Sequence, residues 1–136
     1  MANFMYDRAK QGFLSGEIDL TTDTIKVILI DVADYTANSA TDEDLADVPA
    51  GARVATSGAL ASKTVTDGVF DAADVTLSSV SGDTSEALVI FQDTGVEGTS
   101  LLIAYIDTVS SGLPVTPNGG DITIQWDSGA NKIFAL

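Results

Sequence analysis

The octet TIKVILID, Thr24 to Asp31, constrains the fold more than any other stretch of the chain. Its β-branched density and near-continuous apolar character suit a strand buried on both faces. Similar runs follow at EALVIFQD (86–93), SLLIAYID (100–107), DITIQWD (121–127) and NKIFAL (131–136). The stretch ASKTVTDGVFDAADVTLSSV reads as two further strands broken near Gly68 to Asp74. DTGVEGTS, SSGLPVTPNGG and DSGA between them carry ordinary turn chemistry. In DITIQWD, Ile122, Ile124 and Trp126 alternate with Thr123, Gln125 and Asp127, so one face is buried and one solvated. The expected fold is mainly β, a single-domain sandwich of about six to eight strands over 1–136.

Two helical pieces complete this reading. Asn3 can cap FMYDRAKQGFLSG, Asp7 lies in its early turns, and Gly16 sits where a C-terminal glycine stop belongs. Tyr6, Ala9, Lys10 and Phe13 then share one face. The second piece falls in the most charge-dense stretch, TDEDLADVPAGARV, where Asp42, Glu43, Asp44 and Asp47 crowd together. A calcium loop starting at Asp42 fails, because Ala46, Asp47 and Arg53 stand where an acidic residue, a glycine and a glutamate are needed. A helical turn near residues 42–48 fits better. Thr41 and Asp44 resemble a capping box, acidic residues fill the first turn, Leu45 and Val48 pack, and Pro49 stops it.

Composition removes whole classes of chemistry. The 136 residues include no Cys and no His, so thiolate chemistry and the commonest general base and metal ligand are missing. A formal charge of -14, from 20 acidic and 6 basic residues, repels phosphate backbones and anionic lipid. Arg8, Lys10, Lys26, Arg53, Lys63 and Lys132 are scattered and form no basic patch, so neither nucleic acid nor membrane is an expected partner. The N-terminus lacks the apolar core of a secretion signal, and the run VILI is too short to span a bilayer. The chain reads as one that begins soluble in the cytoplasm.

The remaining motifs have ordinary structural explanations. Asp31 with Asp34, and Asp71 with Asp74, are spaced like acid/base pairs, yet Asp is common at strand ends where it accepts turn amides. No G-x-S-x-G elbow occurs, and NGGD (118–121) lacks the helix and lysine of a phosphate cradle. The tripeptide Asp93 to Gly95 matches that of aspartic proteases but occurs once, in a hairpin connection. Trp126 and Tyr105 sit in alternating strands and read as core rather than as a sugar platform. No catalytic, cofactor-binding or metal residue is therefore assigned.

The order of motifs carries a further signal. MYDRAKQGFLSGEIDLTTDTIKVILIDVADYT, then DVPAGARVATSGAL, SEALVIFQDTG, LLIAYIDT and GLPVTPNGGDITIQWDSGANKIFAL together resemble a family of small virion structural proteins of tailed bacteriophages. The likeness runs over nearly the whole chain. It implies a non-enzymatic capsid decoration (cement) or head-fibre-like protein without cofactors, made in the host bacterial cytoplasm. It would sit on the head exterior, bound to the major capsid protein, as a homo-oligomer with a trimer favoured. The expected contacts are Phe4, Met5 and Tyr6 at the N-terminus and Leu113, Pro114 and Pro117 in the long loop. For the N-terminus an ordinary core helix stays open as the alternative. A tail or fibre component binding host glycans through Tyr35 and an outward Trp126 is the second reading. An enzyme using its Asp pairs, abolished by Asp31→Asn or Asp71→Asn, is the third.

Overall fold

A computed structural model describes residues 3–136. Ile25–Ile30 forms β2, the buried strand expected from its sequence, and only Lys26 in it reaches solvent. It lies between β3 (Arg53–Thr56) and β7 (Ala87–Gln92), and β7 pairs in turn with β8 (Leu102–Ile106). The two-residue strand β1 (Phe4–Met5) closes the other edge, giving a five-stranded antiparallel sheet in the order β1-β8-β7-β2-β3. Each fully buried Ile or Val in β2 and β7 contributes roughly 1.5–3 kcal/mol, so these central strands anchor the fold.

Register decides which side chains share a face. Met5 opposes Ala104, Ala104 opposes Ile90, and Ile90 opposes Val27, so these residues line one face with Leu29, Leu88 and Ile106. Phe4, Tyr105, Val89 and Ile28 line the other. The Phe4 and Tyr105 rings stack there with centroids 5.1 Å apart.

The second layer is a bent ribbon. Its inner side is β5 (Val69–Asp71) and β6 (Val75–Leu77), with β4 (Thr64–Thr66) paired to β5. β9 (Ile122–Ile124) runs antiparallel to β6, and β10 (Phe134–Ala135) to β5, so both follow the same side of the ribbon. Phe134 joins the layers, with its ring 5.3 Å from Phe70 and 6.3 Å from Phe13 of the helix α1 (Asp7–Ser15). The result is a mainly β sandwich with eight strands of three residues or more and two of two residues.

Several expectations need correction. The helix begins at Asp7, with Tyr6 at its N-cap and no side-chain cap, because residues 4 and 5 pair with β8 instead. Asn3 does not cap it; its Oδ1 accepts the amides of Asp107 and Thr108 and its Nδ2 donates to the Thr108 carbonyl. Gly16 does end the helix, at φ 79°. Tyr6 and Ala9 are buried and Phe13 half-buried, whereas Lys10 turns to solvent and pairs with Asp7 at 3.0 Å. Residues 61–80 hold three strands rather than two, because Asp67 and Gly68, both at positive φ, make a tight turn between β4 and β5. The turn in the acidic stretch is a 3-10 turn, Leu45–Asp47, capped by Asp44 and not by Thr41. Asp44 accepts the Ala46 amide at 3.0 Å, while Asp47 accepts the Glu43 and Asp44 amides. Val48 packs fully buried as expected.

Candidate docking groove

A groove of about 850 Å³ opens between the layers on the Met5–Ala104 face of the large sheet. Met5, Leu88, Ala104 and Ile106 line it from that sheet. Ile122 to Ser128 and Lys132 to Ala135, from β9, β10 and the loop joining them, make one wall. Residues 108–113 and Val115 line the groove as well, with Leu113 among them.

This geometry sorts the six candidate contact residues. Phe4 and Met5 line the groove with Leu113, although more than a hundred residues of chain separate them. Tyr6 cannot be a surface contact. It is fully buried, its hydroxyl lies 3.0 Å from that of Tyr35, and Tyr35 donates to Asp42 at 2.8 Å. For Tyr6, the core alternative held open above is therefore the correct one. Pro114, on a cis peptide bond, is exposed and Pro117 is half-buried, and neither lines the groove. Their loop is tied to the body by a bridge between Val115 and Ser85, with backbone bonds of 2.8 and 2.9 Å.

The carboxylates are used locally. Asp42 accepts the Asn38 amide as well as the Tyr35 hydroxyl. Asp93, in the protease-like tripeptide, accepts the Gly95 amide at 2.9 Å and pairs with Lys26 at 2.6 Å. The lysine beside it, then the turn amide, hold its carboxyl below the usual range. Asp74 accepts the Trp126 amide, just past β9, and so ties the end of that strand to the chain before β6. Asp31 and Asp34 are joined by Asp83, with one oxygen of each within 4.8 Å of the others. Hard cations favour such oxygen sets, but Asp31 already accepts the Ala33 amide, and no buried unpartnered acceptor points into the cluster. Carboxylate proximity alone defines no ligand.

The basic side chains are all engaged within the chain. Arg8, Lys10, Lys26 and Arg53 pair with Glu17, Asp7, Asp93 and Glu97. Lys63 donates to the Asp23 carbonyl and Lys132 to that of Ser128. Arg53 also donates to the Leu45 and Val48 carbonyls, so it fastens the turn at Leu45–Asp47 to the one at Glu97–Thr99. The scattered cations of the sequence are thus each in contact with a partner in the chain, Lys10 at the surface and Arg53 as a clamp between two turns. The groove itself has no local signature, because its lining comes from segments far apart in the sequence that the fold brings together. Among the described residues no helix is long and apolar enough to cross a membrane. Comparison with protein-family models finds no match, and comparison with curated proteins finds none.

Proposed function

We propose that this chain is a non-enzymatic virion structural protein that decorates the outside of a tailed-phage head and stabilises it by docking on the major capsid protein. The observation that carries the reading is the convergence of Met5 and Leu113 on one groove, which Phe4 also borders although its ring stacks on Tyr105 at the other face of the sheet. They were selected as contacts from sequence, and they meet at a concave, partly apolar surface of the kind that seats interface anchors. Acidity supports the same role. With its cations clamped internally, the surface repels packaged nucleic acid and keeps free subunits soluble before docking. A trimer over three-fold points of the shell is the favoured assembly.

The glycan-binding alternative loses support at its aromatics. Tyr35 is buried and hydrogen-bonded on both sides of its hydroxyl, and the Trp126 indole donates to the Ala73 carbonyl at 3.1 Å. Tyr35 therefore offers no sugar platform, and Trp126 is held by its ring edge. The test is cryo-electron microscopy of the purified particle with quantitative gel densitometry. Density at regular positions on the head, at a copy number approaching that of the major capsid protein, is the expected result. Density confined to the tail, at a few copies, would sink the decoration reading.

A further inference from the structure

The groove has an unusual wall. β9 and β10 each have one hydrogen-bonded neighbour among the described residues, β6 and β5 respectively. Residues of β9 and β10 line the groove, and no residue of β5 or β6 does, so the groove runs along the outer, unpaired edge of the ribbon. Unpaired edges are templates for another strand, and proteins normally blunt them with Lys, Pro or a covering element. Ile122, Thr123 and Ile124 carry no such block. The floor beside this edge is apolar, with Met5, Leu88, Ala104 and Ile106. The depression along β3, about 390 Å³, differs in being lined largely by Ser and Thr.

We infer that the groove accepts one extended segment of a partner protein, which adds as a strand to the outer edge of β9 and β10. Alternate side chains of the added strand would settle on the Met5–Ala104–Ile106 floor while the others face solvent, and edge pairing would supply affinity. Charge selects the partner. A second copy of this chain brings another -14, with its basic groups already in contacts of their own, so a strand from it is a poorer occupant of this edge than a basic one. A segment of alternating apolar residues flanked by Lys or Arg is attracted instead. The inference deepens the docking role proposed above and rests on it for the partner's identity, but not for the mode of binding.

The probe is the synthetic heptapeptide Lys-Val-Thr-Val-Thr-Val-Lys, compared with the same peptide carrying Glu at both ends. The chain has a single Trp, Trp126, and it lines the groove, so its emission reports occupancy. Amide chemical shifts of the unmodified protein map the site without any substitution. The expected result is saturable binding of the Lys-flanked peptide at low salt, roughly tenfold or more tighter than the Glu-flanked one. Shifts should be confined to residues 122–126, 133–135 and the floor, and binding should be lost in Ile122→Lys and in Met5→Lys, with folding checked by circular dichroism. No shifts at millimolar peptide, shifts elsewhere, or equal binding of both peptides would overturn the inference. So would self-association through the groove itself, with shifts at residues 122–126 as protein concentration rises, that the Lys-flanked peptide fails to displace. A protein found on the head that ignores the peptide would remove the groove mode and leave decoration intact. One that binds the peptide but is missing from the particle would do the reverse.

Discussion

Tyr35 shows what one hydroxyl does in this core. It receives a hydrogen bond from Tyr6 and donates one to Asp42, so three segments of chain meet at one atom. Tyr35→Phe leaves the buried Tyr6 hydroxyl and Asp42 each short of a partner and should cost about 1–3 kcal/mol. Tyr6→Phe removes only the outer bond and should cost less, with urea midpoints as the measurement; equal losses would contradict the relay. Asp42 also shows why the acidic stretch was only partly legible. Thr41 with Asp44, and Asp44 with Asp47, are equally good capping pairs by spacing. The choice is made by a bridge from Asp44 to Leu101, which no local pattern reveals. The tyrosines give a pH prediction as well. Burial raises the pKa of Tyr6, Tyr35 and Tyr105, the only three in the chain. A folded pKa above the unfolded value of about 10 means this stability is complete below pH 10 and is lost as pH rises beyond it. Tyrosinate absorbance in the native protein should therefore lag behind that of the unfolded chain as pH rises past about 10, and that of the more deeply buried Tyr6 and Tyr35 should appear only with loss of far-ultraviolet dichroism. Early titration of all three without unfolding would refute it.

At the scale of elements, Gly68 is the point where local turn chemistry holds a distant strand. It sits at φ 80° after Asp67, closes the β4–β5 turn, and its carbonyl accepts the Leu136 amide at 2.8 Å. A Cβ there would lie 3.3 Å from the Leu136 carbonyl oxygen as well as forcing a left-handed conformation. Gly68→Ala should cost about 1–2 kcal/mol and raise amide exchange at Phe134 and Leu136 before the central sheet responds. Exchange unchanged at β10 would show that the C-terminal strand is held by Phe134 packing alone. The strands that were legible, β2, β7, β8 and β9, have either long apolar runs or clean alternation. The missed ones, β1 and β3, are short edge strands fixed by pairing with β8 and β2 rather than by their own composition. The N-terminal helix was placed too early for the same reason: helical spacing in residues 4–6 gave way to strand pairing.

The whole molecule combines an apolar two-layer core with a surface of strong net negative charge. The layered fold could be read from strand patterns, but the groove could not, since its lining comes from residues 3–5, 29, 88, 104–106, 108–113, 115, 122–128 and 132–135. Phe4, Met5 and Leu113 stand out in the sequence for apolar character near a terminus and in a loop; only tertiary register brings Met5 and Leu113 onto one groove. Charge, by contrast, was fully visible and yields a global prediction. Twenty acidic and six basic residues leave -14, and the basic groups are already in short-range contacts, so the remaining repulsion is long-range and open to screening. The Debye length falls from about 30 Å at 0.01 M salt to about 10 Å at 0.1 M. Half-exposed ion pairs such as Lys26–Asp93 are worth no more than about 1 kcal/mol, so weakening them offsets little of the gain. Raising NaCl from 10 mM to 500 mM should therefore raise stability by on the order of 1 kcal/mol, or about 2–8 °C in melting temperature. Screening is indifferent to the cation, so KCl should match NaCl, and CaCl2 at equal ionic strength should do no better. A fall in melting temperature would mean that the ion pairs outweigh the repulsion. A rise specific to calcium would mean that carboxylate clusters such as Asp31, Asp34 and Asp83 take up the ion directly.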